Sequence, residues 1–177
     1  MLIDFLLRSV ASVFVLWFLV IFVLLIHETG HMLVLAYYKL KVDKVIVGNI
    51  KIFTLTVGGI RHEFGIFPLF AFTISQDYAK APHPTRVAVA LAGPITSVLL
   101  GLLLLLFDQF VPGWFTKLSA NASITLGFWN LIPFPPMDGW PVLEWALFKN
   151  NVVIGEKRRN FLLGVGIICI AVLAVLI

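Results

Sequence analysis

Read for polarity alone, the chain falls into four long apolar stretches. The first runs from Val10 to Ile26 and resumes beyond His27, Glu28 and His31 as far as Tyr38. The second is Val87 to Phe107, the third covers roughly Ala120 to Phe148, and the fourth is Phe161 to Ile177. Crossing the hydrocarbon of a bilayer takes about 20 mostly apolar residues in a helix. The second stretch meets that length and the fourth falls slightly short. The third holds Pro133, Pro135, Pro136 and Pro141. Proline removes a backbone donor and clashes with the preceding turn, so no single regular helix fits there.

Residues 40–80 follow another pattern. Val45 to Val47, Ile50 to Val57 and Phe64 to Ile74 are rich in β-branched and aromatic residues, with Gly48-Asn49 and Gly58-Gly59 as turn signals between them. The pattern predicts a mainly α, polytopic membrane protein of about four transmembrane helices. Its third helix is broken by proline, and a small β insertion at 40–80 lies at the membrane surface. No internal repeat or low-complexity linker divides residues 1–177, which read as one membrane-embedded domain. A cleaved signal peptide is not expected, because the first apolar run is too long and lacks a small-residue cleavage pattern.

Composition supports this reading. With 60% hydrophobic and 12% charged residues and a mean hydropathy of +1.03, the chain has more apolar surface than a small soluble globule can hide. The net charge of +4 raises the question of nucleic acid, but the basic residues form no single tract. They sort by side instead. Eleven of the thirteen lie in two loops: Lys39, Lys41, Lys44, Lys51, Arg61, Lys80 and Arg86 in the first, Lys149, Lys157, Arg158 and Arg159 in the second. Only Arg8 and Lys117 face the other side. The positive-inside rule then puts the β insertion in the cytoplasm and both termini outside, in what would be the cell membrane. The single cysteine, Cys169, excludes an intramolecular disulfide.

The chemistry is concentrated in two places. His27-Glu28-Thr29-Gly30-His31 is an H-E-x-x-H sequence. On a helix, residues four apart share a face, so both imidazoles can reach one metal ion while the glutamate takes a proton from water. Three ionisable groups inside a spanning helix are expensive without a compensating ion; the plainer reading is a buried polar cluster bonded to another helix. A zinc site with two histidines needs a third protein ligand and an open position. Asp138 offers one, at the end of the proline-rich run from Asn130 to Gly139; the plainer reading makes it a turn or cap residue.

Three motifs in one order make the sequence resemble the site-2 protease family of intramembrane zinc metalloproteases. His27 to His31 is similar to the family's H-E-x-x-H, Ala92-Gly93-Pro94 to its A-G-P, and Asn130 through Gly139 to its N-x-x-P-x-P-P-x-D-G element. The resemblance covers about residues 10–148. It implies one zinc per chain, with His27, His31 and Asp138 as ligands and Glu28 as general base. Asn130 would help position the substrate or the tetrahedral oxyanion. The implied partners are a membrane-protein substrate and the bilayer, with no nucleic acid; the oligomeric state is not implied. Three features depart from the family pattern: Ser97 where asparagine is frequent, Trp140 and Pro141 after Asp138-Gly139, and no Gly-Gly pair after Pro68.

The rival functions are a catalytically silent protein that binds membrane segments, which expects loss of Glu28 or a ligand, and a transporter, which expects more intramembrane charge or inverted repeats. Neither expected feature is present. His62 and His83 read as surface residues, Glu144 as a solvated helix-end residue, and Lys157 to Arg159 as a headgroup anchor. Counting back from Tyr38 at a presumed interface, His27 lies eleven residues, roughly 16 Å, deep along the first helix. Zinc is therefore expected inside the bilayer's cytoplasmic half, with water entering from that side.

Overall fold

The computed structural model describes residues 2–176. Its elements are α1 (Leu2–Tyr37), β1 (Lys44–Val57), β2 (Ile60–Ile74), α2 (Gln76–Lys80), α3 (His83–Asp108), α4 (Trp114–Asn130), α5 (Trp140–Lys149) and α6 (Glu156–Leu176).

Helix α1 runs for 36 residues without an internal proline. It stops where Lys39 adopts φ 57°, letting Leu40 N–H reach the Leu35 carbonyl and Lys39 N–H the Ala36 carbonyl, both at 2.9 Å. This left-handed cap satisfies the last carbonyls of the helix. Two stretches among the described residues are long and apolar enough to cross a membrane, Arg8–Tyr37 in α1 and His83–Asp108 in α3. The sequence pattern had favoured about four. Helix α4 has 17 residues and carries Lys117, Ser119, Asn121 and Ser123, which reduce its apolar character.

Helices α1, α3 and α4 approach closely through small residues. A Cβ added at Gly30 would lie 2.6 Å from the Ala92 carbonyl oxygen, and one at Gly101 or Gly127 would lie 2.8 Å from the carbonyl of Ala120 or Pro94. Lipid supplies no hydrophobic drive between helices, so such backbone-close packing is what holds them together. The tight α3–α4 connection is fastened by Asp108, which accepts from Gly113 N–H at 2.8 Å.

Strands β1 and β2 form an antiparallel hairpin whose turn, Gly58-Gly59, has φ 57° and 80°. Both strands bend, and Gly48 (φ 81°) and Ile50 (φ 47°) supply the bend in β1. Residues 44–47 consequently have partners on both flanks, Ala71 to Ile74 on one and Arg61 to Phe64 on the other. Segment 71–74 is left at an edge. Side-chain alternation gives the sheet one apolar face, and Val45, Val47 and Phe64 on it pack against Ile21 and Leu24 of α1. Further along, the Trp17 indole donates to the Ile66 carbonyl at 2.5 Å. The sheet therefore lies beside α1 between Trp17 and Leu24. The charges, such as the Lys44–Glu63 pair at 3.2 Å, occupy the opposite face.

Glu144 departs from the solvated position expected of it. Only 4% exposed, it is held by Arg86 of α3 at 2.7 Å and by Arg159 of α6. Arg159 makes this contact with its side chain still 42% exposed. Two guanidiniums on one carboxylate offset the cost of burying it. A second contact seats α6: a Cβ on Gly166 would overlap the Pro135 carbonyl.

Candidate metal centre

One helical turn of α1 brings His27, Glu28 and His31 together, and all three are more than nine-tenths buried. The two Nε2 atoms are 3.3 Å apart. Asp138 Oδ2 arrives from the α4–α5 connection, 3.0 Å from His27 Nε2 and 3.3 Å from His31 Nε2. Three donor atoms thus meet from two separate elements.

The other imidazole nitrogens are spoken for. His31 Nδ1 donates to the Val89 carbonyl at 2.8 Å, and His27 Nδ1 pairs with Ser97 Oγ at 2.9 Å. A carbonyl only accepts, so Nδ1 of neutral His31 carries the hydrogen and its Nε2 presents a lone pair. These donors fit a metal ion. Tetrahedral zinc with ligands at 2.0–2.2 Å has ligand–ligand separations of roughly 3.3–3.5 Å, close to the spacing of the three atoms.

Helix α3 shows why a glycine stands opposite. A Cβ at Gly93 would land on His31 Nε2 and lie 2.8 Å from His27 Nε2. The next residue, Pro94, has no N–H to offer Ala90, which borders the site.

On the other side, Asp138 is set by a closed loop. Gly139 N–H donates to the Asn130 carbonyl at 2.7 Å, and a Cβ on Gly139 would collide with the carbonyls of Leu131 and Ile132. Asn130 enters the site through this backbone bond. Its side-chain Nδ2 is donated to the Leu126 carbonyl at 3.0 Å, and it does not line the cleft.

That cleft, about 120 Å³, opens beside the cluster and is bordered by Glu28, His31, Asp138, Phe72, Thr73 and Tyr78. It has room for several waters and polar groups to hold them. Glu28 Oε2 accepts from the Thr73 hydroxyl at 2.6 Å. Tyr78 donates to the Arg86 carbonyl at 3.3 Å, and burial pushes its phenol above the ordinary tyrosine range, so it stays a donor at neutral pH.

His62 and His83 stay apart from the centre. His62 Nδ1 lies 3.1 Å from the Ile60 carbonyl, and the His83 ring stacks on Phe148 at 4.5 Å. Sequence reading missed Thr73 and the Val89 carbonyl. No motif marks a threonine within a β-rich run, and a backbone acceptor leaves no trace in residue type. Ser97 did leave a signal, as a departure from the asparagine frequent at that place in the family pattern.

Residues 14–120 match the model of peptidase family M50. The chain belongs to this family. Among similar proteins is the zinc metalloprotease MJ0392 of Methanocaldococcus jannaschii, 30% identical over 140 residues, covering 75% of this chain and 34% of that protein. Among solved structures, a site-2 protease from Methanocaldococcus jannaschii matches with a TM-score of 0.57 and 26% identity, over 78% of this chain and 56% of that one. This M50 chain thus spans about a third to a half of these relatives. M50 membership and two apolar helices make it a membrane protein.

The bond to His27 carries a prediction. Ser97→Ala removes the group that orients this imidazole, and equilibrium zinc competition should read an affinity lower by about 10- to 100-fold. Unchanged affinity would show that His27 needs no such partner.

Proposed function

We propose that the protein is an intramembrane zinc metalloprotease that hydrolyses peptide bonds of transmembrane or membrane-proximal protein substrates, as in regulated intramembrane proteolysis. The observation that carries this reading is the meeting of His27, His31, Asp138 and Glu28 beside one cleft, among apolar helices. His27, His31 and Asp138 hold one zinc per chain. Zinc bound there supplies Lewis acidity, acidifying water and polarising a carbonyl.

The chain's own groups do the remaining work. Glu28 accepts the proton of the attacking water and delivers it to the leaving amine. The edge at 71–74 receives an extended stretch of substrate by strand addition. A substrate helix must unwind to pair there, because its carbonyls are otherwise bonded internally. Asn130, which gives one of its two Nδ2 hydrogens to the Leu126 carbonyl, helps position the substrate or the oxyanion.

The test uses purified protein in detergent or nanodiscs with a panel of membrane-segment substrates. Cleavage should stop on chelation and return with added zinc. Zinc-loaded protein that binds the segments without cutting any would make it a silent binder instead.

The cytoplasmic opening of the site and the external termini belong to the same proposal, supported by the distribution of Lys and Arg. In intact cells, a cysteine at position 117 should react with an impermeant reagent and one at position 44 should not. Labelling of Lys44→Cys from outside would reverse the topology.

A further inference from the structure

Within that protease reading, we propose that Thr73 is the positioning residue for the general base: its hydroxyl holds one oxygen of Glu28 and leaves the other free to take the proton.

The first support is the bond itself. Thr73 Oγ1 lies 2.6 Å from Glu28 Oε2, the length of a charge-assisted bond to an ionised carboxylate. The hydroxyl has one hydrogen, so it can restrain only one of the two oxygens. Glu28 itself is 3% exposed and has little water to satisfy it.

The second support is how firmly Thr73 is placed relative to Glu28. Its strand partner is Val45, which has no exposed surface. Val45 packs with Ile21 and Leu24, two turns and one turn before Glu28 on the same helix. A short circuit therefore closes from Glu28 along α1, across the apolar contact to Val45, over the strand pair to Thr73, and back through the hydrogen bond. A β-branched side chain adds little slack, because χ1 of threonine has few wells. The sheet thus sets the carboxylate's orientation from outside the helix that carries it.

The third support is location. Thr73 belongs to the edge segment 71–74 and borders the cleft together with Phe72 and Tyr78. The strand that borders the cleft is the strand that holds the base.

The other charged groups at the centre do not duplicate this task. His27 and His31 present their Nε2 atoms to Asp138, and their Nδ1 atoms are held by Ser97 and Val89. The Glu144 cluster engages Arg86 and Arg159 and touches none of them.

The experiment compares Thr73→Val, Thr73→Ser and Glu28→Gln with wild type, using zinc-loaded protein and a cleavable membrane segment. Thr73→Val keeps shape and loses the hydroxyl. It should lower kcat by roughly 10- to 100-fold, the cost of a misplaced catalytic group, with KM and zinc content unchanged. Thr73→Ser should restore most of the rate. Wild-type kcat in Thr73→Val beside an inactive Glu28→Gln, or a serine variant as slow as the valine one, would overturn the proposal. A second readout needs no catalysis: thermal unfolding of metal-free Thr73→Val, Glu28→Ala and the double variant. Coupling predicts that the double variant melts close to Glu28→Ala alone, since the hydroxyl then has nothing to hold. Strictly additive losses would again overturn it. If wild type cleaves nothing, the protease reading fails, and this cycle still decides whether Thr73 holds Glu28.

Discussion

Purified Asp138→Ala protein is expected to hold almost no zinc, where wild type holds one ion per chain. Elemental analysis after dialysis against a weak chelator checks it. The reason is geometric as well as electrostatic. Asp138 supplies the third donor, an anion 3.0 and 3.3 Å from the two imidazole nitrogens. Two neutral histidines on one helix leave an ion half open, and three protein ligands are the ordinary minimum for a catalytic zinc site. Full occupancy in Asp138→Ala would remove Asp138 from the ligand set. Glu28, with its carboxylate within 4.8 Å of the histidine nitrogens, would then be the remaining candidate.

Glu28→Gln separates binding from turnover. The amide is nearly isosteric and can still accept a hydrogen bond from Thr73, so zinc content should stay at the wild-type level. It cannot accept the proton of the attacking water, and general-base catalysis contributes about 10²- to 10⁴-fold, so cleavage should fall by that order. Steady-state cleavage of a membrane-segment peptide measures it. A variant cutting at near wild-type rate would take the base role from Glu28, and Asp138 would be the next group to examine.

The residues of the candidate metal centre were legible in the sequence because the chemistry proposed for them is carried by residue type at fixed spacing. Histidines four apart on a helix must share a face, and an aspartate after three prolines in four positions must leave regular helix. What stayed hidden depends on backbone or on tertiary contact. The Val89 carbonyl that orients His31 has no residue signature, and the hydroxyl of Thr73 reaches Glu28 only because β1 and β2 bend back along α1. The packing of the sheet on α1 stayed hidden for a related reason. Lys44, Lys51, Arg61 and Glu63 look like a surface loop when counted along the chain. Alternation instead collects Val45, Val47 and Phe64 on one face, and that face packs on a helix. Glu144 was misread because its two arginines lie 58 and 15 residues away.

The length of α1 bears on the kind of membrane that suits the protein. Its stretch Arg8–Tyr37, mostly apolar but carrying Arg8, His27, Glu28 and His31, has 30 residues, which at 1.5 Å each is about 45 Å. A typical hydrocarbon slab is about 30 Å thick, so an upright helix overshoots it by roughly 15 Å. Leaning to fit entirely inside would take a tilt near 50°, steeper than the 0–40° that transmembrane helices adopt. Such an excess is met by lean, by a locally thickened leaflet or by both, and it shrinks as acyl chains lengthen. In the intramembrane reading proposed above, His27 and His31 ride on that same helix, and lipid chain length would set how far water must travel to reach them.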